Sequence, residues 1–287
     1  MKILKYFIEF IIIKFLFIIF KIIGYKNSSN LGAIIGKIFG PMFRKKKIIM
    51  ENLESSKIGK NEIERKKIIK NMWGNYGRIL SEYPFIEHFD NGRLSNNLEI
   101  YGQEIVEKIK RENKNVVFVS GHFNNFELMA MHLENSGIKL AAIYRPLNNY
   151  FLNNTMENIR RRYICKKQIK KGKSGTREFI KLIKEGYSVA MMIDQRVTEG
   201  ILSNFLNKDA FTTSIPAQIA KKYKMEIVPV YIERYNNHKF KLTIEKPIFF
   251  ENQKSNYEIT SELNICLEKM VKRNPDQWIW SHNRWKR

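Results

Sequence analysis

Cysteine is scarce in this 287-residue chain, which contains only Cys165 and Cys266. Two distant thiols build neither a disulfide framework nor a close metal-binding pair, so we expect a reducing compartment. Histidine is sparse as well, with five residues in all. The spacing of His88, His132 and His238 suggests no zinc site. We therefore expect neither a metal nor a cofactor.

Signatures of nucleotide and nucleic-acid binding are missing from the sequence. There is no phosphate loop, and no Gly-x-Gly-x-x-Gly run follows a strand, which argues against a nucleotide ligand. No helix-turn-helix, zinc finger or aromatic RNA-binding motif stands out. Internal repeats are absent, and no small-residue cleavage site follows the apolar N-terminus. We expect no nucleic-acid partner and a retained N-terminus.

Acidic residues are few relative to basic ones, at 28 Asp and Glu against 51 Lys and Arg, for a formal charge of +23. Such a chain attracts polyanions: nucleic acids, anionic lipids, lipid phosphates or an acidic carrier protein. Lysine, isoleucine and asparagine are abundant throughout, so biased codon composition accounts equally well for part of the excess. The charge alone selects no partner.

The N-terminus carries the longest apolar run, residues 6–23, close to the roughly 20 residues that a membrane span requires. Charges interrupt it on opposite sides of the helical wheel, with Lys2, Lys5 and Glu9 on one side and Lys14 and Lys21 on the other. A single polar stripe is therefore missing, which weakens an interfacial-helix interpretation. The pattern favours a tilted membrane anchor whose end lysines reach the headgroups.

A second apolar segment, residues 30–43, is rich in glycine, too short for a span, and followed by the basic cluster Arg44 to Lys47. Glycines allow helices to pack closely, and each basic residue gains about 1 kcal/mol near an anionic leaflet. This combination predicts docking on an anionic membrane surface. An ordinary helix with a solvated charge run is the open alternative.

Strands and helices alternate after residue 97. We predict strands near Leu98 to Tyr101, Val116 to Ser120, Lys139 to Tyr144, Ser188 to Ile193, Met225 to Ile232 and Lys239 to Ile244. This pattern predicts an α/β fold with a central mixed or mostly parallel sheet flanked by helices. Together with the helical pattern of residues 61–88, it divides the chain into a membrane anchor helix, 1–26, a membrane-proximal helical region, 27–97, and an α/β domain, 98–287.

A histidine and a carboxylate surround the start of the helix predicted after the Val116 to Ser120 strand. Asn124 or Asn125 is expected to cap this helix, which places Glu127 in its first turn. With His122 in the preceding loop, the Glu127 carboxylate is expected to reach one ring nitrogen and leave the other free to accept a proton. We predict His122 and Glu127 as a catalytic pair; the alternative is a structural pair capping the helix.

Two further polar positions directly follow predicted strands. Arg145 and Asp194 do so, as His122 does, and ligands in an open α/β sheet collect beyond the carboxyl ends of its strands. We expect all three to line one crevice if the strand order permits, with Gln195 beside Asp194 as a further substrate contact. The structural alternatives are that Arg145 anchors a loop through Pro146 and that Asp194 caps a turn.

The sequence blocks containing these residues resemble those of the bacterial lipid A biosynthesis acyltransferases, the lauroyl and myristoyl transferases that add secondary acyl chains. Gly121-His122-Phe123-Asn124-Asn125-Phe126-Glu127 is similar to the family's Gly-His-Phe-Gly-Asn-Trp-Glu-like block. In the same order follow Tyr144-Arg145-Pro146, Asp194-Gln195, a Phe205 to Thr212 block and a Trp280 to Lys286 block. The Phe205 to Thr212 block departs most, because Asn207 and Asp209 replace a glycine and a proline; asparagine still adopts positive φ.

The resemblance implies a glycerolipid acyltransferase-like fold and an enzyme of the inner membrane with its catalytic domain on the cytoplasmic face. It implies transfer of a fatty acyl chain from acyl carrier protein to a hydroxyl of a lipid A precursor, a phosphorylated glycolipid. In this interpretation His122 removes the hydroxyl proton and Glu127 supports the imidazolium. The implied substrate-binding residues are Arg145, Asp194, Gln195 and, as a phosphate contact, Arg284. The backbone amides after His122 and the Arg145 side chain are alternative oxyanion donors.

Two other functions are compatible with the sequence. One is an acyltransferase for another glycolipid, such as a phosphatidylinositol mannoside, which a similar His-x4-Asp/Glu block would serve. The other is a non-catalytic basic protein that docks on membranes. The C-terminal tryptophans of residues 278–287 suit either a membrane interface or the edge of the core.

Overall fold

The computed structural model describes residues 2–250 and 253–286, with helices leading into an α/β domain. The helices are α1 (Lys2–Ile23), α2 (Tyr25–Phe39), α3 (Lys46–Ser55), α4 (Glu62–Glu82), α5 (Ile86–Asp90), α6 (Gln103–Arg111), α7 (Glu127–Asn135), α8 (Tyr150–Tyr163), α9 (Lys173–Lys184), α10 (Ile215–Tyr223) and α11 (Asn256–Arg273). The strands are β1 (Leu98–Tyr101), β2 (Val117–Ser120), β3 (Leu140–Tyr144), β4 (Lys167–Lys170), β5 (Ser188–Met192), β6 (Ile201–Phe205), β7 (Lys208–Thr212), β8 (Ile227–Tyr235) and β9 (Lys239–Ile244).

The main sheet has the strand order β1-β9-β8-β2-β5-β3-β4. Neighbouring strands pair in parallel except β8 with β9, which pair antiparallel. The predicted α/β fold with a mostly parallel sheet is therefore confirmed, and each predicted strand is present within a few residues of its expected bounds. Strand β4 and the separate β6–β7 hairpin were not predicted, because their short segments contain no apolar run longer than two residues.

The strand order brings the expected site positions to one edge of the sheet. All four residues of β2 are buried between β5 and β8. Ser120, the last residue of β2, pairs with Met192, the last residue of β5, and β3 pairs with the other side of β5. The carboxyl ends of β2, β5 and β3 therefore lie side by side, as the predicted crevice requires.

Helices α2 and α4 cross at glycines. A Cβ atom added to Gly77 would lie 1.8 Å from the carbonyl oxygen of Gly32, and one added to Gly36 would lie 2.1 Å from that of Trp73. Only glycine permits such an approach of two backbones, so the glycines of residues 30–43 serve close helix packing, as predicted. A buried ion pair between Glu82 on α4 and Arg234 on β8 attaches this helical layer to the sheet.

The N-terminal anchor prediction requires correction. Residues 2–23 do form a helix, but no helix within residues 2–250 and 253–286 is long and apolar enough to cross a membrane. The reason is the set of charged residues inside α1, because each charge is costly in hydrocarbon. Phe17 and Phe20 are buried, and Phe7 and Phe10 pack on Phe151 of α8.

The β6–β7 hairpin is the Phe205 to Thr212 block of the sequence. Leu206 and Asn207 form its two-residue turn with φ of +51° and +64°, the conformation of a type I′ turn, so Asn207 does adopt the positive φ expected of it. The C-terminal tryptophans pack on this hairpin: Trp278 and Trp280 are fully buried, and Trp285 stacks on Phe205. They belong to the core, so the membrane-interface alternative for them was wrong.

Candidate active site

His122 and Asp194 form the centre of the candidate site. The loop after β2 carries His122, and the loop after the adjacent β5 carries Asp194. The ring Nδ1 of His122 lies 2.7 Å from Asp194 Oδ1, and the His122 backbone N–H donates to Asp194 Oδ2 at 2.8 Å. Trp278 Nε1–H also donates to Oδ2, at 3.0 Å. The carboxylate is fully buried and held from three directions.

The contact expected between Glu127 and His122 is replaced by a different one. Glu127 accepts hydrogen bonds from Arg160 on α8, at 2.7 Å from Nε and 2.6 Å from Nη2, and a long one from the Tyr83 hydroxyl at 3.4 Å. The prediction that Glu127 orients the imidazole was wrong for this geometry, because Asp194 occupies Nδ1. Sequence spacing placed Glu127 near His122 but did not determine which partner its carboxylate faces.

Charge and burial shift the pKa values of this pair in opposite directions. Burial lowers the pKa of His122, but the Asp194 carboxylate outweighs burial and raises it above 6.5 overall. Burial also acts on Asp194 and by itself would raise its pKa. The nearby His122 and the hydrogen bonds that the Asp194 carboxylate accepts lower that pKa overall. With Asp194 ionised, Nδ1 of His122 carries the proton, and Nε2 has a free lone pair.

Among the described residues, the second ring nitrogen of His122, Nε2, has only one weak contact. Gln195 Nε2 lies 3.5 Å from His122 Nε2, which is a long contact, and the His122 side chain is 24% exposed. The edge of the ring packs on Phe126, with a distance of 5.0 Å between ring centroids. His122 is therefore fixed through Nδ1, while Nε2 keeps only a long contact on a partly exposed side chain, as a general base requires.

The loop between His122 and α7 differs in detail from the prediction. Asn124 has φ of +43°, which accounts for the family's glycine there, and its side chain donates to Ile232 and Gln277. Neither Asn124 nor Asn125 caps α7 with its side chain; Phe126 occupies the cap position instead. The predicted asparagine cap was wrong because Asn124 is used to hold the loop against β8 and the C-terminal segment.

The remaining predicted contacts divide into surface and interior residues. Arg145 follows β3 at the same sheet edge as His122 and is exposed. Arg284 is fully buried, where it donates to the carbonyl oxygen of Phe211 and the hydroxyl of Thr212 on β7. Burial lowers the pKa of Arg284 to about 10. A guanidinium enclosed in this way supports the hairpin, so the predicted phosphate contact by Arg284 does not fit the structure.

Three residues of the site were not predicted from the sequence: Trp278, Arg160 and Tyr83. Trp278 lies in a C-terminal block rich in aromatic residues, but nothing in its spacing indicates a carboxylate partner. Arg160 is one of three consecutive arginines on α8, which signals a basic helix end rather than a buried ion pair. Tyr83 precedes a proline in a short turn and gave no signal.

The chain is similar to known proteins along its whole length. The sequence model of the bacterial lipid A biosynthesis acyltransferases matches residues 1–287. The chain is 22% identical over 256 residues to the lipid A biosynthesis myristoyltransferase of Escherichia coli (strain K12), over 88% of this chain and 77% of that one. It is 24% identical over 273 residues to the lauroyltransferase of the same organism, over 91% and 86%. The solved structure of the 1-acyl-sn-glycerophosphate acyltransferase PlsC from Thermotoga maritima is similar with a TM-score of 0.42 and 15% identity, over 89% of this chain and 99% of that chain.

Proposed function

Because the chain belongs to the bacterial lipid A biosynthesis acyltransferase family and is an acyltransferase, we propose that it transfers a fatty acyl chain from acyl carrier protein to a hydroxyl of a lipid A precursor. The observation that carries the proposal is the His122–Asp194 pair, with Nε2 free at the edge of the sheet. The names of the relatives, a myristoyltransferase and a lauroyltransferase of lipid A, support a fatty acyl donor and this class of acceptor.

The chemistry begins with proton transfer to His122. Nε2 accepts the proton of the acceptor hydroxyl as its oxygen attacks the thioester carbonyl carbon, and the resulting imidazolium is stabilised by Asp194. The tetrahedral intermediate then expels the carrier thiolate, which takes the proton from Nε2. One ester forms and one thioester breaks, and His122 returns to its neutral state. In this scheme Asp194 is a positioning residue rather than a substrate contact.

The oxyanion of the intermediate requires hydrogen-bond donors. Within the described residues, no hydrogen bond is formed by the backbone N–H groups of Asn125 and Phe126, which immediately precede α7. Amides at a helix N-terminus are suited to bind negative charge. We assign them as the first candidates for this role, with the Arg145 side chain as the alternative.

The acceptor is a lipid, and we propose that the enzyme reaches it by docking on the cytoplasmic face of the inner membrane. Large apolar side chains are exposed along α1 and at the end of α2: Ile3, Leu4, Phe7, Ile8, Ile11, Ile12, Phe15, Ile18, Ile22, Ile34, Ile38, Phe39, Met42 and Phe43. The basic cluster Arg44 to Lys47 follows directly. An extended apolar surface next to basic residues supports attachment to one anionic leaflet.

The first test is transfer of radiolabelled acyl chains from acyl carrier protein to a tetraacylated, Kdo-bearing lipid A precursor. We expect His122→Ala to lower the rate by about 10²- to 10⁴-fold, because the general base is lost. His88→Ala is the matched control, since His88 lies on α5 outside the site, and it should retain wild-type transfer. Both variants are compared at equal abundance and equal thermal stability.

Two results would contradict the proposal in different ways. Equal transfer by wild type and His122→Ala would exclude His122 as the base. Absence of transfer by the wild-type protein, with intact binding to vesicles, would exclude this donor and acceptor pair and direct the search to other glycolipid acceptors.

A further inference from the structure

A cavity of about 480 Å³ opens between α1, α8 and the turn that joins α4 to α5. Its walls are mainly apolar, with Phe17 and Ile18 from α1, Ile86 from α5 and Ile159 from α8. This volume is within the range of about 300–1,000 Å³ that small-molecule sites occupy. None of the residues used so far for proton transfer lines this cavity.

The wall formed by α1 has an unusual composition. Lys14, Phe17, Ile18 and Lys21 line the cavity together, and their spacing of three, four and seven residues places them on one face of the helix. The two lysines are therefore about 10 Å apart along the helix axis. These are the lysines that interrupt the apolar run of the N-terminus on one side of the helical wheel. In the folded chain both lysines line the cavity.

The charge around the cavity is unbalanced. Arg162 of α8 also lines it, so three basic side chains face a single lining carboxylate, that of Glu87. All three basic side chains are exposed at the rim, and within residues 2–250 and 253–286 none of them forms an ion pair with a carboxylate. Basic groups without acidic partners, next to apolar walls, favour binding of an amphiphile that carries an anionic group.

The cavity is connected to the catalytic centre through Tyr83. Tyr83 lines the cavity, and its hydroxyl donates to Glu127, which is paired with Arg160 of α8. Glu127 and Arg160 are both close enough to His122 to affect its pKa, after the larger effects of burial and Asp194. A ligand in the cavity therefore lies next to the network that borders the reacting histidine.

We propose that this cavity binds the phosphorylated end of the acceptor lipid, with Lys14, Lys21 and Arg162 around a phosphate and the apolar walls against the first part of its acyl chains. This inference rests on the proposed function, because it names the site at which the acceptor is held. A cavity of this size admits part of a lipid but not a folded carrier protein. The position of the cavity beside the exposed face of α1 also suits a ligand that arrives from a membrane.

The test compares the triple variant Lys14→Gln, Lys21→Gln, Arg162→Gln with a control that removes the same charge at exposed positions of α10, α11 and α6, Lys222→Gln, Lys269→Gln, Arg111→Gln. Steady-state transfer is measured in detergent with a phosphorylated acceptor and with its dephosphorylated form. We expect the cavity variant to raise KM for the phosphorylated acceptor about 10- to 100-fold, as loss of charged hydrogen bonds does. Its kcat and its KM for the acyl carrier protein donor should stay within about twofold of wild type, and the control should not change.

The dephosphorylated acceptor shows whether the basic residues act on the phosphate. If the cavity binds phosphate, wild type and cavity variant should have the same KM for this acceptor. An unchanged KM for the phosphorylated acceptor overturns the proposal. So does a rise in the KM for the donor, which would assign the basic residues to carrier recognition, and so does an equal effect of the control variant.

A binding experiment separates this proposal from the proposed function. A photoreactive lysophosphatidic acid is crosslinked to the His122→Ala protein, and the labelled peptides are identified by mass spectrometry. We expect labelling within residues 14–21 and 155–163, competed by lysophosphatidic acid but not by lysophosphatidylcholine. Labelling there without any transfer by the wild type would retain the cavity as a lipid phosphate site and reject the acyl transfer reaction. Labelling elsewhere would reject the cavity.

Discussion

The imidazole of His122 has two nitrogens, and the carboxylate beside Nδ1 determines whether Nε2 can accept a proton. Asp194 is fully buried and accepts from the His122 backbone, the His122 ring and Trp278, so its own position is fixed. Glu127 is committed to Arg160 instead. The ion pair of Glu127 and Arg160 holds α8 next to the site, while Asp194 controls the tautomer and the basicity of His122.

Asp194→Asn tests this division of roles through the pH dependence of kcat/KM. His122 must be neutral to accept a proton, and its pKa is raised above 6.5, so wild-type activity should rise with pH through values above 6.5. Replacing Asp194 removes the largest effect that raises this pKa, so the midpoint should shift to lower pH. The rate at the plateau should fall about 10²-fold or more, because asparagine does not stabilise the imidazolium.

Glu127→Gln is the comparison for that experiment. Its effect on the midpoint should be in the same direction but smaller, because Asp194 acts on His122 more strongly. Its main effect should be a lower melting temperature, since Arg160 loses its buried partner. A larger midpoint shift in Glu127→Gln than in Asp194→Asn would show that Glu127 orients the histidine in solution.

At the scale of elements, the contact between α2 and α4 depends on the absence of side chains. At Gly32, Gly36 and Gly77, a carbonyl oxygen of the facing helix lies where the Cβ atom of any other residue would be. The same helices hold α1 and the exposed apolar surface in place, because α1 packs on α2 and α4. Glycine lowers the intrinsic stability of each helix by about 1 kcal/mol per residue, so close packing between the helices must offset that cost.

Gly77→Ala and Gly74→Ala separate helix packing from helix propensity, because both lie in α4. A Cβ atom at Gly77 meets the backbone of Gly32 at 1.8 Å, whereas one at Gly74 meets chiefly the flexible end of Lys37 at 2.8 Å. We expect Gly77→Ala to lower the free energy of unfolding by about 1–3 kcal/mol through overpacking. Gly74→Ala should be neutral or slightly stabilising, since alanine favours the helix.

Thermal unfolding followed by circular dichroism measures both variants. The expected loss in Gly77→Ala corresponds to a melting temperature lower by several degrees, about 2–4 °C per kcal/mol for a chain near this size. Equal melting temperatures for the two variants would contradict the close backbone contact between α2 and α4.

At the scale of the whole molecule, charge and apolar surface combine on the N-terminal helices. The net charge of +23 attracts any polyanion, so it does not by itself identify a membrane. The exposed apolar residues of α1 add the specificity for lipid, because apolar burial depends little on salt whereas surface electrostatics is screened. Membrane docking in our proposal therefore rests on the apolar surface, and the basic residues increase its strength.

Ile12→Ser and Ile265→Ser test the docking surface as a matched pair, because both isoleucines are 52% exposed and only Ile12 lies on α1. We expect Ile12→Ser to weaken binding to vesicles containing phosphatidylglycerol by about tenfold, from the loss of an inserted isoleucine side chain. Ile265→Ser, on α11, should bind as the wild type does. Cosedimentation at low and high salt gives both affinities, and equal losses in the two variants would exclude α1 as the docking surface.

The sequence alone determined the α/β architecture, the approximate bounds of six strands and the candidate base His122, because these depend on local periodicity and on residues close together in the chain. The three missed strands, β4, β6 and β7, have few buried apolar residues and gain their stability from neighbours distant in sequence.

Only the tertiary structure decided which carboxylate serves His122. Asp194 is 72 residues from His122 in sequence and reaches it because β2 and β5 are adjacent in the sheet, whereas Glu127 is close in sequence but faces Arg160. The enclosed position of Arg284 and the placement of Lys14 and Lys21 over a cavity were decided in the same way. Hydrogen bonds and ion pairs act over a few ångströms, so the packing of distant elements determines which partners a polar side chain meets.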